Sequence, residues 1–189
     1  GLYSHSFPDI PYGYDFDFIN PDALLSEISV VGGKAVTGCG KTYQVLCLDR
    51  NCRRMSLEVL KKIAMLASRG VIICGEIPSE AASMYDSRKE FESIVKDIWY
   101  SGRDNVFGNK WLDEVMKASE TDPDWIALSE CDIRVVHRAL PDGHIYWVNS
   151  PVCKPQSAEL SLRVCGLKPQ KWNPVNGEIS DLSYRFEDG

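Results

Sequence analysis

The sequence predicts an α/β fold: a mostly parallel sheet with flanking helices, followed by antiparallel β-strands. Three observations predict it. From Tyr43 to Gly75 a strand, a helix and a fully apolar strand succeed one another within ~33 residues, the size of a strand–helix–strand unit with a right-handed crossover. Arg88–Tyr100 and Lys110–Ser119 then repeat apolar residues at helical spacing. From Cys131 the apolar period drops to two and no helix intervenes, which reads as antiparallel sheet or sandwich.

Residues 1–22 are rich in Gly, Pro and aromatics and read as an extended, turn-rich segment, within which Asp15–Ile19 alternates like a half-buried strand. Asn20 is a good cap for a short helix over Asp22–Ile28, and Pro21 in its first turn forfeits no needed N–H. Ser29–Val36 reads as a strand broken by a Gly32-Gly33 turn, and Lys41–Leu48 as one strand. Ser56 caps the next helix, with Glu58 suited to its positive end. Leu57, Leu60, Ile63 (or Ala64) and Ala67 form its apolar face, and Gly70 ends it. Val71–Cys74 is apolar throughout, as a parallel strand covered on both faces would be. Phe91, Ile94, Val95 and Ile98 line one side of the second helix; Trp111, Leu112, Val115 and Met116 line the third. Trp125–Leu128 is a short strand or buried turn. Ile133–His137 and Ile145–Asn149 flank the turn Pro141-Asp142-Gly143 as a hairpin. Ala158–Val164 and Leu182–Phe186 alternate as further strands.

Composition narrows the function. Apolar residues make up 44% of the 189, enough for a sizeable core. The formal charge of −6, without a Lys/Arg cluster, leaves no electrostatic footprint for nucleic acid. No stretch approaches the ~18 consecutive apolar residues of a membrane helix. The chain starts at Gly1 without a leader's basic and apolar regions, which reads as a fragment or matured chain whose start does not reveal its location. The seven cysteines form no C-x-x-C and have no histidine at zinc-ligand spacing, so neither a metal site nor a disulfide framework is expected, and no cofactor is implied.

Gly38-Cys39-Gly40-Lys41-Thr42 resembles a phosphate-binding loop, but Ala35 stands where that motif needs glycine and a strand follows instead of a helix. A polar turn between strands, with Lys41 and Thr42 at the surface, is the better reading. Cys74 ends a buried strand, where some hydrolases and amidotransferases place a nucleophile. Ile72 and Glu76 replace the flanking glycines of such an elbow, and the partner would have to be His137 or His144. A buried structural thiol is favoured, with a small Cys-dependent hydrolase as the alternative. His137, His144 and His5 read as structural or surface histidines. Asp15 and Asp17 would share a strand face, which ordinary exposure explains as well as a glycosidase carboxylate pair does. Among the five tryptophans, Trp99 and Trp111 fall in helix stripes and read as core, whereas Trp172 in Lys171-Trp172-Asn173-Pro174 is the best candidate for a carbohydrate-binding platform.

Several segments together resemble glycoside hydrolase family 106, the α-L-rhamnosidase-like enzymes. They are Gly13–Leu25 with its Tyr14-Asp15 and Ala23-Leu24-Leu25, Thr42–Leu48, Met55–Leu60, Gly70–Gly75, Ile133–Arg138 with Ile145–Ser150, and Trp172–Ile179. Order and spacing carry the likeness; 76–87 match nothing in it, and Val148-Asn149-Ser150 lacks one residue of the corresponding motif. The resemblance implies the region after the catalytic (β/α)₈ barrel. In that family the barrel holds the hydrolytic carboxylates and a calcium site, and it needs roughly 200–250 residues of its own. It further implies a flavodoxin-like or glutamine-amidotransferase-like domain over 1–130, then a partial β-sandwich over 131–189. The implied role is a non-catalytic accessory or scaffold piece of a large enzyme, periplasmic or extracellular, acting on rhamnose-containing polysaccharide. The implied partners are the parent's other domains, with a saccharide or a second copy as further candidates and no nucleic acid or membrane. An independent carbohydrate-binding module is the remaining alternative.

Overall fold

A computed structural model describes residues 10–186; His5 and the rest of the segment before residue 10 lie outside the described residues. The chain divides into two compact units, one holding Phe16–Asp122 with 10–11, the other Tyr12–Asp15 with 123–186.

The first unit opens with α1 (Pro21–Glu27), capped by Asn20, whose Oδ1 accepts from the Ala23 N–H at 2.8 Å. At the far end of α1, Lys62 Nζ donates to the carbonyls of Leu25 and Ile28 at 3.0 and 2.7 Å. A helix end without intrahelical partners is thereby satisfied. β1 (Ser29–Val31) and β2 (Lys34–Val36) form the expected hairpin. Gly32 and Gly33 both have positive φ, 57° and 77°, as the mirror-image turn that matches strand twist requires.

The strand expected over Lys41–Leu48 is divided at Gln44. β3 (Thr42–Tyr43) pairs antiparallel with β2, while β4 (Val45–Leu48) leaves for a parallel sheet. A 3₁₀ turn (Arg50–Arg53) and β5 (Arg54–Met55) lead to α2 (Leu57–Ser68). Val59, Leu60, Ile63, Leu66 and Ala67 are buried on α2, so the core stripe includes Val59 and Leu66 as well as most of the expected positions, while Leu57 is half-buried. Each such Leu or Ile contributes about 2 kcal/mol by leaving water. Gly70 stops the helix at φ 95°; its N–H bonds the Ala67 carbonyl and the Val71 N–H bonds that of Leu66, both at 3.1 Å. Leu66 and Val71, fully buried, complete this Schellman end.

β6 (Ile72–Gly75) is the middle strand of a three-stranded parallel sheet, with β4 on one side and β8 (Val106–Gly108) on the other. Between them lie β7 (Glu80–Ala81), paired with β5, and α3 (Arg88–Trp99), capped by Ser87 and burying Phe91 and Ile98. α4 (Leu112–Ala118) follows β8 and buries Val115. Neither β7 nor β8 has a sequence signal: runs of two and three residues hold no readable period.

The second unit comprises three two-stranded antiparallel ladders among the described residues. β9 (Trp125–Ala127), β10 (Arg134–Leu140), β11 (Gly143–Asn149), β12 (Leu160–Leu162), β13 (Gln170–Trp172) and β14 (Ile179–Asp181) pair as β9 with β12, β10 with β11, and β13 with β14. Pro141-Asp142 make the two-residue turn between β10 and β11. Two alternating segments are corrected. Leu182–Phe186 is not a strand, its place in the ladder being taken by β14, and Asp15–Ile19 is not a strand either. Alternation sets which side a residue faces, but a strand also needs a ladder partner. Gly13 is forced by a close approach: at φ 89° its carbonyl accepts from Asp124 N–H at 2.8 Å, and a Cβ would stand 2.2 Å from the Trp125 oxygen.

Candidate functional site

In the second unit His137, His144 and Tyr146 gather on β10–β11. His137 stands directly opposite Tyr146 in the ladder, and His144 opposite Ala139, so strand alternation places His137, Tyr146 and His144 on one face. The His137 ring lies flat on Tyr146, centroids 4.2 Å apart at 3°. Its Nε2 is 2.8 Å from Nδ1 of His144. Its Nδ1 is 2.7 Å from Oδ2 of Asp124, with both side chains about five-sixths buried (15% and 17% exposed). Asp124 is itself fixed by backbone bonds, its N–H to Gly13 and its carbonyl from Arg163 N–H at 2.9 Å. Its Oδ1 lies 3.5 Å from the Tyr146 hydroxyl and 3.6 Å from the Arg163 guanidinium.

Burial, reinforced by the Asp124 charge, pushes the Tyr146 phenol up to about 12, so it stays protonated and donates. The carboxylate favours the His137 proton on Nδ1 and leaves Nε2 as the acceptor facing His144. Although His137 is so near, Asp124 Oδ2 is fully shielded from solvent and makes no aligned hydrogen bond. Distance and charge, more than directional bonding, define that contact. The arrangement orients an imidazole. Its contacts link Asp124, His137, His144, Tyr146 and Arg163, and the hydroxyl it includes, that of Tyr146, is held protonated.

Cys74 is elsewhere, in the first unit, which has no histidine among its described residues. It is fully buried and pairs in register with Cys47 on β4. The hydrogen bond with the Cys47 sulfur, aided by burial, pushes its thiol far up, the reverse of what a nucleophile needs. The chain after β6 runs to β7, so no strand-to-helix elbow forms there.

The Gly38–Thr42 segment is the turn joining β2 to β3, closed by Thr37 N–H to the Lys41 carbonyl at 2.9 Å. Lys41 and Tyr43 both donate to Asp17 Oδ2 at 2.5 Å, and these bonds hold the Asp17 carboxyl below its usual range. Asp15 and Asp17 belong to different units.

Trp172 is 71% exposed on β13 and Trp147 53% exposed on β11, whereas Trp125 is buried. Trp99 and Trp111, expected in the core, are half-buried; the Arg50 guanidinium covers Trp111 at 4.7 Å. Sequence reasoning placed His137, His144 and Tyr146 on one hairpin but missed Asp124 and Arg163. They join His137 only through the folding of distant segments. Among the described residues no group of three or more His, Cys, Asp or Glu side chains converges to hold a metal.

Comparison with known proteins gives these features a family. A solved rhamnosidase from Novosphingobium sp. PP1Y is 27% identical, with a TM-score of 0.87 over 96% of this chain. The chain spans 18% of the length of that rhamnosidase. No curated protein matches. The profile of glycoside hydrolase family 106, described as alpha-L-rhamnosidase, matches residues 1–186. Nearly the whole sequence thus lies within that match, and the chain belongs to the family 106 alpha-L-rhamnosidases.

Proposed function

We propose that this chain is a non-catalytic accessory part of a large glycoside hydrolase acting on rhamnose-containing polysaccharide, where it serves as a scaffold for other domains. One observation carries the reading: the second unit has almost no core. Its buried hydrophobics are Trp125 and Ile133, while Val136, Leu140, Ile145, Trp147, Trp172 and Ile179 are among those exposed. Two buried side chains contribute about 3–6 kcal/mol. Ordering a backbone costs about 1–2 kcal/mol per residue, so ladders this poor in burial need an apolar cover from outside. Other domains of the parent are the partner that fits.

The finer fold reading belongs here as well. Three parallel strands joined through α2 and α3 support a flavodoxin-like or glutamine-amidotransferase-like layer over 1–130. The uncovered hairpin faces support a partial β-sandwich over 131–189. The exposure of Trp172 favours a second reading, a saccharide-binding role for this piece.

The test is to assay the purified chain on an aryl α-L-rhamnoside and to measure its binding to rhamnose-containing oligosaccharides. No turnover is expected. Turnover abolished by Asp124→Asn or His137→Ala overturns the scaffold reading, and saccharide binding lost in Trp172→Ala establishes the second reading.

A further inference from the structure

β11 has an edge that nothing in the second unit uses. Leu140 pairs with Gly143 across a two-residue turn, so these two exchange both backbone bonds. The exchange repeats at every second pair: Arg138 with Ile145, Val136 with Trp147, and Arg134 with Asn149. His144, Tyr146 and Val148, which lie between, therefore point their N–H and C=O groups away from β10. Among the described residues no other backbone group bonds them, and β10–β11 is a sheet of two strands.

A free edge is ordinarily guarded. Short length, a charged side chain, a proline or a bulge keeps a passing strand from adding to it. The ladders β9–β12 and β13–β14 follow this rule with strands of three residues each. β10 follows it with Arg134 and Arg138. β11 does not. Its seven residues include no Lys, Arg, Asp, Glu or Pro, and its register runs unbroken from Gly143 to Asn149. Ile145, Tyr146, Trp147 and Val148 are all β-branched or aromatic, the side chains that strands favour. A two-stranded ladder is marginal in water, and a third strand is what makes such a sheet hold. Val136, Leu140, Ile145 and Trp147 share one exposed side of the hairpin, and a strand laid beside β11 extends that apolar row.

The source of the strand follows from what lies outside these residues. The chain spans 18% of the solved rhamnosidase, so on the scaffold reading most of the enzyme is elsewhere in the polypeptide. A segment of the same polypeptide reaches the edge at an effective concentration that a separate molecule lacks. We propose that β11 receives a third strand from the rest of the parent enzyme. That strand is an extended segment, apolar on the side of Ile145 and Trp147, bonded to the backbone of His144, Tyr146 and Val148. The proposal rests on the scaffold reading and narrows it from a covered face to a main-chain junction.

The test is amide hydrogen exchange in the full-length parent enzyme, read residue by residue. His144, Tyr146 and Val148 are expected to exchange about 100-fold or more slowly than unstructured amides, alongside Ile145 and Trp147. An alternating pattern, with Ile145 and Trp147 slow and His144, Tyr146 and Val148 fast, overturns the added strand. It leaves the scaffold reading standing, since a layer packed on the apolar face alone produces it; that reading fails on a separate measurement, turnover by this chain. Protection lost on dilution assigns the strand to a second copy and also overturns the proposal. Val148→Pro deletes an N–H that β10 does not use, and its ring blocks an approaching strand. In that variant His144 and Tyr146 are expected to exchange at least about tenfold faster while Ile145 and Trp147 stay slow. Unchanged exchange at His144 and Tyr146 means that burial alone slows them, and overturns the added strand.

Discussion

Tyr146 ties its local environment to a stability that varies with pH. A free phenol ionises near pH 10, and the folded chain pushes this one up to about 12. Between those values the unfolded chain has lost a proton that the folded chain keeps. Unfolding is thus favoured as pH rises through the window, and the effect vanishes below it. Urea midpoints followed from pH 8 to 11.5 are expected to fall, with the Tyr146 share of the fall confined to pH above about 10. In Tyr146→Phe the fall becomes shallower without disappearing, because Tyr43 and the Cys52 and Cys74 thiols, all pushed up, also keep protons that the unfolded chain has lost. The same residues show what single positions reveal in advance. Tyr146 and His137 were legible as members of one hairpin, because alternation is a local property. Their contacts with Asp124 were not, since nothing in the thirteen positions from Asp124 to His137 encodes the fold-back that joins them.

Helices in the first unit are bounded by identifiable chemistry, and their ends can be tested one at a time. Ser56 Oγ accepts from the Val59 N–H at 3.3 Å and caps α2, which gives the core Val59, Leu60, Ile63, Leu66 and Ala67. Ser56→Ala is expected to lower stability by about 1 kcal/mol, read as a shift in the urea midpoint with unchanged slope. Caps, the Gly32-Gly33 turn and the Gly70 stop were readable because each rests on a residue type with few conformational choices. Strands fared differently. The long pair β10–β11 was readable, whereas β7 and β8 were invisible, and Lys41–Leu48 concealed a change of partner at Gln44. Strand identity resides in the ladder, and the ladder partner lies elsewhere in the chain.

The two units differ in burial, and the difference has a dynamic consequence. One is organised around Leu60, Ile63, Leu66, Ile73, Phe91 and Ile98, each 2% exposed or less. The other has Trp125 and Ile133. Regions with few buried apolar contacts open at low free energy. Limited proteolysis is therefore expected to cut within 123–186 first and to leave a resistant fragment ending near Asp122. Early cuts within α2 or β6 would contradict this. The sequence made the α/β layer and the later antiparallel strands legible, through period and order. It did not disclose how little those strands bury, because an apolar residue at alternating spacing looks the same whether its covering layer is inside the chain or outside it.

Cys47 and Cys74 lie side by side across two parallel strands, with Cys74 sealed from solvent, while Cys39, Cys153 and Cys165 stand open. A water-borne alkylating reagent therefore modifies the outer thiols on first encounter and reaches Cys74 only when β6 itself comes apart. The order in which the seven sulfurs are modified is a record of unfolding, written by the native sequence without any introduced probe.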